Sequence, residues 1–254
     1  DGSDEITPDK SGGGSIALTV LGIVDFRYLF VANMMMFMAF QMRNVVQSWL
    51  ALELTDSQAW VGVINGSPAV AIITLGLIGG VASDRWPKRD ILLWVRIGLG
   101  LVNFAVGYLV MIDVISIWHL LFLSLAQGGA IAFGMPASQT IVQDIVGRNR
   151  LLTAVSLNQS LSTIGGIAGP ALGGALLGIM GVAPVYFLIS AIYIPAIYAT
   201  WRIKTRTRVE RTSNTSAITD IKEALVYVRS SPPLRILVVL NVLGLVAGFI
   251  FPII

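Results

Sequence analysis

Cysteine is absent from this chain and histidine occurs once, at His119. Disulfides and thiolate metal sites are therefore excluded, and a metal or catalytic centre built on histidines is equally disfavoured. Charge is scarce as well: 12% of residues are Asp, Glu, Lys or Arg, about half the share of a soluble domain, against 55% hydrophobic. What charge there is comes in islands. None falls between Ser57 and Ser83, and none over the 51 residues from Leu151 to Trp201. No Walker A loop, nucleotide fingerprint or pair of catalytic carboxylates appears, so ATP bound by this chain is not the energy source. No catalytic residue, metal, cofactor or nucleic-acid partner is expected. The net charge of +3 says less than where the charges lie.

This is the composition of an integral membrane protein. A bilayer core about 30 Å thick needs roughly 20 apolar residues in a helix rising about 1.5 Å per residue. Six segments satisfy this, at 28–52, 60–82, 91–112, 117–142, 151–180 and 183–201. Gly181 with Pro184 marks the reversal inside the longest uncharged run. A seventh segment starts near Leu234 and is read as a span cut short at Ile254. Backbone polar groups must be satisfied internally in lipid, and segments this long do so as helices rather than barrel strands. The expectation is an all-α polytopic fold.

Lys and Arg are retained on the cytoplasmic side, so their placement orients the spans. The turns after the first, third and fifth segments carry none. Those after the second, fourth and sixth carry Arg85, Lys88 and Arg89, then Arg148 and Arg150, then a run from Arg202 to Lys222. Both ends of the six-helix unit are expected to be cytoplasmic. Residues 1–15 are polar and Gly-rich and read as a disordered tail before a six-helix unit over 16–201. Within it, 16–24 is either an interfacial lead-in or an extension of the first helix. Residues 202–232 form a basic linker, with an amphipathic surface helix over 218–228, and 233–254 opens the seventh span.

The charged turn between the second and third segments reads Gly80-x-x-x-Asp84-Arg85-x-x-Lys88-Arg89, with five charges in the seven positions from Asp84 to Asp90. It resembles the signature loop of the major facilitator superfamily of secondary transporters. Gly165-x-x-x-Gly169-Pro170-x-x-Gly173-Gly174 in the fifth segment is similar to the glycine-proline motif of its exporter branches. Residues 53–57, 136–149 and 151–174 further resemble the branch of enterobactin and macrolide exporters. The likeness covers about 28–254. It implies the N-terminal six-helix bundle of a twelve-helix fold, whose second half lies beyond this chain, in a bacterial cytoplasmic membrane with a cytoplasmic N-terminus. It also implies export of a small amphipathic molecule of drug, macrolide or siderophore class, coupled to protons. Import or facilitated diffusion on the same fold, and a non-transporting scaffold, remain the alternatives. Two positions depart from the pattern: Pro87 stands where the loop usually has Gly, and Ser124 stands where the fourth helix commonly has an Arg linked to proton coupling.

Each candidate residue has a structural and a functional reading. Asp84 and Arg85 are either a solvated turn or a cytoplasmic latch clasping the other half, and the resemblance favours the latch. Gly80 comes with the same motif, and Lys88 and Arg89 either join the latch or only hold the turn in the cytoplasm. Arg43 lies inside the first apolar segment with Gln41, Asn44 and Gln47, and an intramembrane Arg normally faces water or a partner. A polar wall lining a cavity is preferred there over outward snorkelling. For Arg96 snorkelling to the headgroups is preferred. Asp144 pairs either with Arg148 four residues on or with the signature turn, as a possible gate contact. His119, beside Trp118, reads as an interface residue. Gly165, Gly169 and Gly173 repeat every four residues for close helix packing, and Pro170 bends the helix, with flexion as the addition the family implies. Asn158, Gln159, Ser162 and Thr163 either touch substrate or bond between helices.

Overall fold

The structure, a computed structural model, describes residues 19–205. The tail, the linker beyond Thr205, the amphipathic segment and the seventh span lie outside the described residues. Six long helices cover most of the remainder: α1 Val24–Thr55, α2 Gln58–Arg85, α3 Lys88–Met111, α4 Ile117–Val146, α5 Leu151–Met180 and α6 Val182–Arg202. All six are long and apolar enough to cross a membrane.

The spans match the expected ones in number and order, and most are longer. Polar side chains prolong a helix past the hydrocarbon because its backbone bonds are already made internally. The charged turn shrinks accordingly. Gly80 to Arg85 are the last turns of α2, and only Trp86 and Pro87 connect it to α3. Trp86 is extended, as a residue before proline prefers, and Pro87 enters α3 at φ −56°. At the opposite end Asp56, at φ +49°, stops α1. Gly147 and Gly181 stop α4 and α5 at φ +75° and +79°, where a side chain would be strained. Ser116 caps α4 by accepting from the His119 backbone N–H at 3.4 Å, and its hydroxyl meets His119 Nδ1 at 2.8 Å. The lead-in is not a simple extension of α1: a break at Gly22 and Ile23 precedes Val24, and Val20 is buried in the core.

The main packing pairs are α2 on α4, α3 on α6, α1 on α5, and α1 on α6, with α3 also against α4. Small residues set these contacts, as expected where lipid removes the hydrophobic drive between helices. A Cβ on Gly128 would lie 2.4 Å from the Pro68 carbonyl oxygen, and one on Gly79 would lie 2.2 Å from that of Ala132. Pro136, four residues beyond Ala132, has no N–H for that carbonyl. Pro68 likewise leaves the Ile64 carbonyl without its helical partner, and the Ser67 hydroxyl donates to it at 2.9 Å. Tyr186 and Tyr193 of α6 seat against Gly107 and Gly100 of α3. Large apolar side chains such as Trp94, Leu152 and Ile179 point outward, the surface lipid requires.

The two ends of the bundle's path are tied together. Asp25, in the first turn of α1, accepts from the Lys204 and Thr205 backbone N–H groups at 3.2 and 2.7 Å, and from the Thr205 hydroxyl.

Candidate functional site

α1, α2, α4 and α5, with Val182 at the start of α6, line a half-open cavity of about 1400 Å³. Gln41, Arg43, Asn44 and Ser48 from α1 line it, with Asn65 from α2 and Met135 from α4 opposite. Pro170 and Gly174 contribute the α5 wall. Their positions follow from helical spacing: residues three and four apart on α1 share a face, so one polar stripe looks into one space. The stripe is bonded end to end. Asn44 Nδ2 donates to Gln41 Oε1 at 3.3 Å, Ser48 Oγ to the Asn44 carbonyl at 2.8 Å, and Asn65 Nδ2 to Ser48 Oγ at 2.8 Å.

Arg43 is the charged member of this stripe. It is 4% exposed, with Nη1 donating to Gln47 Oε1 and Nη2 to Asn44 Oδ1 at 2.8 Å. Its guanidinium carbon stands 5.3 Å from the Phe40 ring centre, and its Nε has no partner among the described residues. Gln47 is not on the cavity surface. It is buried behind Arg43, reaching Asn65 at 3.5 Å.

Arg96 does not snorkel. It is fully buried, with Nη2 donating to Asn33 Oδ1 at 2.8 Å and Nη1 to the Ala196 carbonyl at 3.5 Å. Asn33 Nδ2 in turn donates to Asn158 Oδ1 at 3.4 Å, so one network joins α3, α1, α6 and α5. The physical reason is depth. α3 starts at Lys88, three residues before the expected boundary, which puts Arg96 about 12 Å along the helix. A guanidinium there, on the face turned to α1 and α6, finds protein acceptors closer than headgroups. Asn158 thus bonds between helices, while Gln159 and Ser162 bond to each other on α5 at 3.0 Å.

At the end of the bundle where α3 begins, Lys88 Nζ meets Asp144 Oδ2 at 2.8 Å, joining the start of α3 to the last turn of α4. Of the two partners expected for Asp144, the signature turn is the one it meets; Arg148 is exposed in the short 3₁₀ turn Arg148–Arg150. Asp84 lies in the last turn of α2, with its side chain outside the described set. Arg85 is exposed beside it, and Arg89 is half-buried. A Cβ on Gly80 would meet none of the described residues within 4 Å, so the close approach on α2 belongs to Gly79 instead.

The α5 glycines divide by role. Cβ atoms on Gly165, Gly169 and Gly173 would press on Phe37, Gln41 and Met42 of α1 at 3.2, 2.4 and 2.9 Å. Gly174 would meet nothing and borders the cavity. Asn65, Gly79, Gly128 and the Arg96 network were not singled out as such from sequence. The glycines carry no local signal, whereas Arg96 carried the same one as Arg43, a charge inside an apolar run.

Six membrane-length helices, four of them around a largely apolar cavity with a polar stripe on its α1 wall, define a class, the polytopic helical membrane proteins. Residues 16–253 match the family described as transmembrane secretion effector, and the chain belongs to this branch of the major facilitator superfamily. The MFS-type transporter YfiS of Bacillus subtilis is 25% identical over 72% of this chain and 43% of its own length. The enterobactin exporter EntS of Citrobacter koseri is 26% identical over 65% of this chain and 40% of its own length. The chain thus spans under half the length of these curated relatives. A bacterial homolog of the human lysosomal transporter Spinster, solved inward-facing and unoccupied, shares the fold with a TM-score of 0.61 at 16% identity, over 82% of this chain and 46% of that one.

Proposed function

We propose that this chain is the N-terminal half of a secondary active exporter. It moves a small amphipathic molecule by alternating access, with the proton gradient as driving force and its N-terminus in the cytoplasm of a bacterial cell. The observation that carries this reading is the cavity between α1, α2, α4 and α5 with a buried Arg43 on its wall, in a chain of a transporter family. A scaffold would have no use for a polar stripe facing a void of that size, since each polar group kept at membrane depth costs insertion energy. Asp84, Arg85, Lys88 and Arg89 form the cytoplasmic gate in this reading, with Asp144 holding Lys88 in place. Enterobactin-type substrates are one class to test, given what the Citrobacter relative exports.

The test uses the full-length protein in everted membrane vesicles, with energised uptake of fluorescent amphiphiles measured with and without a protonophore. Asp84→Asn and Arg43→Ala are each expected to abolish gradient-dependent transport at normal expression. Full transport by both variants would refute the site assignments. Accumulation in whole cells would show import instead.

A further inference from the structure

Resting on the transport reading above, we propose that the cavity selects amphipathic solutes bearing an anionic group, a carboxylate, sulfonate or phosphate, and that Arg43 is its counter-charge.

Among the described residues Arg43 has no carboxylate partner. Its two described hydrogen-bond partners, Gln47 and Asn44, are neutral amides, and Nε has none. Behind it lies a gap of about 10 Å³, lined by Gln47, Ser124, Gln127 and Tyr186, too small to hold a compensating ion. In front lies the large cavity. Among the described residues, the one carboxylate lining that cavity, Glu53, is ten residues further along α1, about 15 Å away by helical rise. The other buried cation, Arg96, also lacks an acid among the described residues. The described spans therefore hold two buried positive charges and no mid-span negative one.

A guanidinium held this way is desolvated without being neutralised. Its field is concentrated by low-dielectric walls, and a planar fork of donors suits a two-oxygen anion. Phe40, Trp49, Ile72 and Met135 line the rest of the cavity, providing for an apolar body. An anionic head on an apolar body is the solute that both features fit.

Two naphthalene probes separate charge from shape: 8-anilino-1-naphthalenesulfonate and N-phenyl-1-naphthylamine share a skeleton and differ by the sulfonate. Saturable binding of each is measured on the full-length protein in nanodiscs. Wild type should prefer the sulfonate on the order of tenfold, the scale of one charge-assisted contact. Arg43→Gln should lose that preference and keep the neutral probe, and Arg43→Lys should retain part of it. Asn44→Asp places a carboxylate beside the guanidinium without removing it, and should also lose the preference; it decides the matter should Arg43→Gln fail to fold. Equal binding of both probes by wild type, or a preference unchanged in Asn44→Asp and in folded Arg43→Gln, would overturn the proposal. Gradient-driven efflux of the probes from proteoliposomes keeps the two readings apart. Transport indifferent to the sulfonate sinks this inference, while anion-selective binding without any gradient-driven movement sinks the transport reading.

Discussion

Arg43 and Arg96 are both arginines inside apolar helices, and they behave differently for reasons of position. Arg43 sits near the middle of its segment, so its burial was legible from sequence. Arg96 was misread because the helix boundary was set by hydropathy, which stops at the first charged residue, whereas α3 runs on to Lys88. Its partners could not have been read at all, since Asn33 and the Ala196 carbonyl are brought to it only by packing. Arg96→Ala should leave both a void and an unpaired Asn33 oxygen, destabilising the protein by about 2–5 kcal/mol. The paired change Arg96→Met with Asn33→Leu removes the donor and its nearest acceptor together and should recover part of that loss, with Asn158 Oδ1 left without its donor. Thermal midpoints of the purified full-length protein check both; a double variant no better than the single would remove the network from the account.

Glycine and proline do different work on different helices. The four-residue glycine repeat on α5 was legible as a packing face, because that spacing keeps the residues on one side of a helix. That the face meets α1 was not, and neither were Gly79 and Gly128, which stand outside any repeat. Gly169→Ala should force α5 off Gln41 and cost about 1–3 kcal/mol, read as a lower thermal midpoint. Gly174→Ala meets no atom of the described residues within 4 Å and should leave the midpoint unchanged. Its methyl would enter the cavity, so Gly174→Trp is expected to reduce transport while the protein still folds. A matching stability loss at both glycines would mean the packing face is broader than the structure places it.

For the molecule as a whole, the number and order of spans were legible because lipid imposes one length and one chemistry on every span. The cavity was legible only as a stripe on α1; its other three walls are tertiary. Orientation is testable directly: residues 1–254 carry no cysteine, and any elsewhere in the full-length protein is first replaced by serine. Cysteine placed at Asp113, in the turn between α3 and α4, should react with an impermeant maleimide on intact cells. Cysteine at Arg150 should react only after permeabilisation, and the reverse pattern would invert the topology. The Lys88–Asp144 pair is partly exposed, so Lys88→Ala should change stability by no more than about 1 kcal/mol. If that pair positions a gate, Lys88→Ala will lower transport despite normal stability, and exchanging the two residues will restore part of it. Asp25 has a consequence of another kind. By holding Lys204 and Thr205 against the start of α1, it brings the chain out of the bundle beside the place where it went in. A stretch whose entrance and exit adjoin can be copied in tandem, spliced into another gene or joined to a different companion without redrawing its interior, and so can serve as an interchangeable unit of inheritance.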